Sequence, residues 1–306
     1  MEKEITLDFL VLGVQKAGTT SLHDMLARHS DIALPATKET HFFSHADRAA
    51  HGIEWYLDQF KDEGISRLKG EIDPEYLYSP TAPDTIRRLT TVAKFVVILR
   101  HPLDRAFSHY QMSLRRGYER LPFGEALARE QERLAVDRPE FALDHYSYAS
   151  RSLYAKQIGR FLETFPDAAF LFIRSGSLSG SGYEQVCDFI GTRPVLHSGN
   201  AALRSNSASQ PRSRLLRDLL YAPRGKSALR ILLVKAIPPQ VKQRIFHWLD
   251  QKNQKAADLD RRQAYDGVPK PLLSSFLKDL RQTEEMTGLD LADWRNDIEN
   301  ELAHGA

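Results

Sequence analysis

The stretch Asp8-Phe9-Leu10-Val11-Leu12-Gly13-Val14, followed by Gln15-Lys16-Ala17-Gly18-Thr19-Thr20-Ser21, decides the fold. Its first half is a short, nearly unbroken apolar run, which suits a strand buried on both faces of a parallel sheet. Beyond the polar loop, Leu22, Met25 and Leu26 keep helical spacing up to about His29. Strand, loop, helix is therefore the opening unit. The loop has the composition of an anion cradle. Gly18 and its small neighbours let backbone N–H groups approach a ligand, and the helix N-terminus adds partial positive charge. Lys16 supplies a full charge, and Thr19, Thr20 and Ser21 offer hydroxyl donors. A Walker A loop needs its lysine after the last glycine; here Lys16 precedes Gly18.

Working outward, short apolar runs predict further strands at Ile32–Leu34, Lys69–Ile72, Lys94–Leu99 and Ala169–Ile173. Between them, helical patterns cover Trp55–Phe60, Thr85–Leu89, Leu103–Arg115, Tyr154–Phe165 and Tyr183–Ile190. Strands alternating with helices predict an α/β fold: a P-loop-like, doubly wound central parallel sheet flanked by helices. In such sheets ligands sit beyond the carboxyl ends of strands, where both the Lys16 loop and the turn at Arg100 fall. The composition changes after about residue 196. Residues 212–262 are strongly basic and helical in pattern, with a break at Pro238-Pro239. Leu272–Met286 is an amphipathic helix with Gly288 in its cap region, and Leu291–Trp294 closes the fold. One domain over residues 1–306 is expected, with a core at about 5–196 and a helical C-terminal portion at about 205–306.

The bulk properties narrow the class. A chain of 306 residues can bury a sizeable core. Its net charge of +2 makes no case for a nucleic-acid partner. The single cysteine, Cys187, excludes an intrachain disulfide and reads as a small buried apolar residue. No segment reaches the roughly 18–20 apolar residues of a membrane span, and the opening Met-Glu-Lys-Glu does not look like a signal peptide. A cytoplasmic protein is the expectation.

Two more constellations carry chemistry. Arg100-His101-Pro102-Leu103-Asp104-Arg105, continuing to Ser108-His109-Tyr110, ends the strand at Lys94–Leu99. An arginine fork with a hydroxyl two helical turns on suits a second phosphate; a salt bridge from Arg100 or Arg105 to a carboxylate is the plain alternative. Between this turn and the first loop lies Lys38-Glu39-Thr40-His41-Phe42-Phe43. Glu39 and His41 are suited to general-base work, while Phe42 and Phe43 read as core. No close His/Cys/Asp cluster has metal-ligand spacing, so no metal is expected.

In this order and spacing, Gln15-Lys16-Ala17-Gly18-Thr19-Thr20-Ser21-Leu22, Lys38–Phe43 and Leu99–Tyr110 resemble the sulfotransferases that use 3′-phosphoadenosine 5′-phosphosulfate (PAPS). The branch resembled most includes heparan sulfate sulfotransferases and many bacterial members. Gly70–Leu77, Ser152-Leu153-Tyr154 with Ile158 and Phe161, and the ending Phe276 to Trp294 resemble later blocks of that branch. The resemblance implies that Lys16 follows the bridging oxygen as it leaves, and that Ala17, Gly18, Thr19, Thr20 and Ser21 hold the 5′-phosphosulfate. It assigns the 3′-phosphate to Arg100 and Ser108, and the base to Glu39; His41 is added as a helper on its own chemistry, not on the resemblance. Arg212 and Arg214, with Asn206 and Ser207, fall where relatives place a third donor-binding loop. In the cytosolic members a histidine near Glu71–Asp73 is the base, which keeps Glu71 and Asp73 as reserve candidates. His145, Tyr146 and Tyr148 are expected along the acceptor cleft. The chain departs from the heparan branch at Ile72, where that branch has lysine, and in lacking its disulfide.

The expected reaction is in-line sulfuryl transfer from PAPS, leaving 3′-phosphoadenosine 5′-phosphate (PAP), to a hydroxyl or amine on a glycan, glycolipid or small metabolite. Two alternatives stand beside it. One is a P-loop kinase, which needs the Walker lysine and a Mg²⁺ carboxylate. The other is a non-catalytic glycan- or membrane-binding protein, motivated by possible peripheral membrane contact through residues 212–262.

Overall fold

The computed structural model describes residues 5–60, 68–135, 139–195, 209–211, 254–256, 265 and 267–304. They fall into two compact units. Met1–Ala106, Ala149–Ser205 and Lys270–Ala306 form the first; Phe107–Tyr148 and Asn206–Pro269 form the second.

The first unit is built on a five-stranded, all-parallel sheet. Its strands are β1 (Phe9–Gly13), β2 (Ile32–Ala33), β3 (Leu68–Ile72), β4 (Lys94–Leu99) and β5 (Ala169–Arg174). Every residue of β1 and all of β4 but Lys94 are buried, so both faces of the sheet centre are covered. That is why these strands read as continuous apolar runs rather than alternating ones. Gly70 of β3 pairs with Phe9 of β1, and a Cβ at Gly70 would lie 2.4 Å from the Phe9 ring. Only a glycine lets that ring lie over the neighbouring strand.

The strand order is β2-β3-β1-β4-β5. From β1 the chain goes to the edge strand β2, returns inward to β3, then crosses to build β4 and β5 on the other side. The carboxyl end of β1 is therefore the switch point, where an open α/β sheet leaves a crevice. The flanking ends are those of β3 and β4, which lead to Asp73 and Arg100.

Helices α1 (Thr19–Leu26), α2 (Ala46–Ala49), α3 (Gly52–Leu57) and α4 (Ala82–Leu89) connect these strands. Helix α5 (Pro102–Arg116) leads into the second unit. There α6 (Phe123–Ala128), α7 (Glu130–Leu134) and α8 (Pro139–Tyr146) follow. None of these three is legible from periodicity, because each is short, at eight residues or fewer. Helices α9 (Ala155–Thr164) and α10 (Ser181–Ile190) return to the first unit, with Cys187 fully buried as expected. Ser209–Pro211 pairs antiparallel with Gln254–Ala256, so three residues of the basic stretch are strand rather than helix. The rest of residues 212–262 lies outside the described residues.

Helix α11 (Lys270–Thr287) ends at Gly288, whose φ of 68° is the left-handed turn the sequence predicts. The closing segment is longer than expected: α12 spans Ala292–His304. No helix among the described residues is long and apolar enough to cross a membrane.

A cap supplied from a distance ties this helical end to the sheet. Asp279 of α11 accepts the N–H groups of Tyr154 (2.6 Å) and Ala155 (3.1 Å), at the start of α9. Burial pushes the Asp279 carboxyl up to about 6, against these bonds, which pull it down. Replacing Asp279 by alanine leaves two buried N–H groups without an acceptor. We expect it to cost about 1–2 kcal/mol, read as a lower midpoint in urea unfolding.

Candidate active site

The first loop is held by bonds that do not use its side chains. Val14 N–H donates to Ile98 O of β4 (2.9 Å), and Ala17 N–H to Val14 O (3.1 Å). Arg100 Nη1 donates to Lys16 O (2.8 Å), so the arginine after β4 braces the lysine after β1. This is neither the phosphate contact nor the salt bridge weighed for Arg100 from sequence. Behind it, the hydroxyl of fully buried Tyr154 donates to Arg100 O (2.7 Å).

Gly18 is the cap residue of α1, with φ 99°, and a Cβ there would sit 2.9 Å from Leu178 Cδ1. No side chain caps the helix, and its first turn carries no acidic residue. The first-turn N–H groups and the hydroxyls of Thr19, Thr20 and Ser21 thus form an electropositive end.

Among the described residues, three that are not glycine have a left-handed backbone: Lys16 (φ 73°), Glu39 (φ 59°) and His41 (φ 56°). They are the three catalytic candidates read from the sequence. Such conformations cost about 1–3 kcal/mol each and persist only where the surroundings over-determine them. The surroundings of Glu39–His41 are two carboxylates at the end of β3. Glu71 and Asp73 stand two residues apart in extended chain, hence on one side. Glu71 Oε1 accepts Thr40 N–H (3.0 Å) and Thr40 Oγ1–H (2.6 Å), while its Oε2 accepts the hydroxyls of Tyr56 (2.9 Å) and Tyr76 (2.8 Å). Asp73 Oδ2 accepts His41 N–H (2.7 Å). Consecutive N–H groups of the strained turn thus end on alternate residues of one strand end. Phe42 and Phe43 follow into the core, packed on Tyr56 at ring distances of 4.8 and 5.1 Å.

Lys38 joins the turn to the loop. Its Nζ donates to Thr20 Oγ1 (2.9 Å) and to Glu39 Oε1 (2.7 Å). Sequence reasoning quoted Lys38 but gave it no role. The signal was there: it directly precedes Glu39 in Lys38-Glu39-Thr40-His41.

The reserve base candidates are spent on this scaffold. Glu71 is 1% exposed, both its oxygens are bonded, and burial followed by the nearby Asp73 charge pushes its carboxyl up. Asp73 is fully buried. His41 is drawn down by burial, but the bond and charge of Asp73, then Glu75 and Glu39, outweigh that and raise it to about 9. A raised pKa stabilises the fold fully below the unfolded value of 6.5, and the contribution is lost as pH rises through about 9.

In the second unit, Ser108 stands half-buried on α5. Tyr148 corrects an expectation. It is fully buried, with its hydroxyl donating to Glu119 (2.8 Å) and its ring against His109 (5.1 Å), and so serves as core rather than cleft lining. The segment reads as loop from sequence because its partner Glu119 is 29 residues away. His145 packs among Tyr118 and Phe141, at ring distances of 4.4 and 4.5 Å. Arg212 and Arg214, with Asn206 and Ser207, lie outside the described residues.

The chain is similar to known proteins in sequence and in fold. The sulfotransferase domain family matches residues 6–194. Heparan sulfate glucosamine 3-O-sulfotransferase 5 of Mus musculus is 31% identical over 162 residues, covering 53% of this chain and 45% of that protein. Membrane-associated sulfotransferase kil1 of Dictyostelium discoideum is 38% identical over 113 residues, covering 35% and 23%. The chain thus spans less than half the length of these curated relatives. Among solved structures, a sulfotransferase from Alicyclobacillus acidocaldarius superposes with a TM-score of 0.62 at 23% identity, covering 94% of this chain and 98% of that one. That likeness supports the fold. The kinase and non-catalytic alternatives gain nothing from these matches. With the family pattern covering the sheet, the Lys16 loop and the Glu39 turn, the chain belongs to the sulfotransferase family.

Proposed function

We propose that the chain moves the sulfuryl group of PAPS to an acceptor hydroxyl by in-line displacement, with Glu39 as the base. The observation that carries this is the Lys38 bridge, which holds Glu39 and the hydroxyl of Thr20 within 2.7 and 2.9 Å of one ammonium. A carboxylate and an electropositive helix end are thereby set side by side at the sheet's switch point.

Lys16 and the first-turn N–H groups of α1 would hold the phosphosulfate and offset charge growing on its bridging oxygen. Glu39 would take the acceptor proton as the new oxygen–sulfur bond forms. The bond from sulfur to the phosphate oxygen breaks with its electron pair, and PAP leaves. Lys38 Nζ fixes the Glu39 side chain through Oε1, beside the first turn of α1. Arg100 positions the loop through Lys16 O, and its remaining guanidinium nitrogens suit a second phosphate.

A glycan hydroxyl is the first acceptor class to test, since a matched relative is by name a heparan sulfate glucosamine 3-O-sulfotransferase. Ile72, where the heparan branch has lysine, is buried and offers no charge to a sulfated chain. An amine, a glycolipid and a small metabolite belong in the same screen, read by mass spectrometry. Titration calorimetry tests the donor assignment separately. PAP is expected to bind without magnesium, and tight magnesium-dependent ATP binding with no PAP binding would remove the proposal.

A further inference from the structure

We propose that Asp73 is a positioning residue for this reaction: it fixes the His41 ring through Nδ1 and keeps it an imidazolium, leaving Glu39 as the base. The catalytic half of this inference rests on the sulfotransferase reading; the state of the His41 ring does not.

The geometry is specific to Asp73. Its Oδ2 accepts the His41 main-chain N–H (2.7 Å), and the ring nitrogen Nδ1 lies 3.2 Å from Oδ1 and 3.0 Å from Oδ2. Oδ1 also accepts the Glu75 N–H (3.0 Å). The Asp73 side chain is wholly buried, whereas that of His41 is 31% exposed. A buried carboxylate is costly unless it is paired. The ring supplies the pairing charge only while both of its nitrogens carry protons, with Nδ1–H aimed at Asp73. Glu71, two residues earlier, cannot substitute, because its oxygens are taken by Thr40, Tyr56 and Tyr76.

The other groups facing the ring act in the same sense or weakly. Glu75 follows Asp73 and is held in a two-bond pair by Arg151 (2.8 and 2.7 Å). Glu39 lies two residues back and is paired with Lys38. The His45 ring lies 5.0 Å away and gives its Nδ1 to Ser44 (3.0 Å). The direction found for His41, up to about 9, accords with this surplus of carboxylates.

A ring that is already protonated takes no proton from an acceptor. With Nδ1 held by Asp73, its Nε2–H is a donor, suited to an acceptor oxygen or a sulfuryl oxygen. His41 then orients, and Glu39 is the group left to accept the proton. Asp73 is buried and bonded through both oxygens, so it acts through His41.

Asp73→Asn tests this. Asparagine keeps the size and an oxygen for the His41 N–H, and removes the charge. In the wild-type chain, carbon–proton NMR of His41 should show an imidazolium persisting beyond pH 8. In Asp73→Asn the His41 titration should fall by about one unit or more. The alkaline limb of the kcat profile should move with it, kcat should drop by about 10²-fold, and PAP affinity should stay within about twofold. A wild-type His41 that titrates near 6.5 overturns the proposal, even if the variant fails to fold. So does a variant whose titration falls while kcat and its pH profile stay put. A high wild-type titration without PAP binding supports the ring's protonated state and defeats the donor assignment instead.

Discussion

Glu39→Gln is expected to lower kcat by about 10²- to 10⁴-fold while PAP binding stays within about twofold. The substitution isolates the proton acceptor. Glutamine keeps the side-chain length and an oxygen for Lys38 Nζ, which now sits 2.7 Å from Glu39 Oε1. The backbone at this residue has φ 59°, and glutamine inherits that strain unchanged. The Glu39–Lys38 pair is partly open to solvent, with side chains 30% and 29% exposed, so its loss should barely move stability. A transfer assay with matched unfolding curves separates the two effects. Turnover near that of the unmodified chain would remove Glu39 as the base. His41 could not replace it at neutral pH while it holds its own proton.

Lys16→Ala is the second large effect, expected at about 10²- to 10³-fold in kcat. The loop should survive it. Arg100 bonds to the Lys16 carbonyl, not to its side chain, and Val14 and Ala17 hold the loop through their own backbones. Alanine meets the same φ of 73° that lysine does. What disappears is the mobile charge that would follow the leaving oxygen. PAP, which carries that oxygen as a phosphate, should also bind more weakly, unlike in Glu39→Gln. A kcat within tenfold of the unmodified chain would reassign Lys16 to surface charge.

The sheet was legible because its centre is buried on both faces. Phe9–Gly13 and Lys94–Leu99 are apolar runs bounded by polar turns, and β4 matches its expected limits residue for residue. Helices with one apolar stripe, such as α5, α9 and α11, were placed to within a few residues. The short helices that follow α5 were not, since Phe123–Ala128 and Glu130–Leu134 are too short to show a period. Tyr148 failed for a related reason. An aromatic ring in a segment without periodicity looks like a loop residue until its partner, Glu119, is known.

Sequence by itself determined the loop between β1 and α1. A lysine before a glycine, on a loop between a buried strand and a helix, is a local pattern, and local patterns are written in adjacent residues. It also named Glu39 and His41. Tertiary structure alone decided what each carboxylate does. Glu71, Asp73 and Glu39 are equivalent as letters, because each is an acid near the end of a strand or in a turn. Burial and partners separate them. Glu71 and Asp73 lie in the interior and clamp the turn; Glu39 stays within reach of solvent beside Lys38. Those differences come from residues 31 to 36 positions apart meeting across the sheet edge, as Thr40 meets Glu71 and Tyr76. Distances of that kind have no trace in a single chain read along its length.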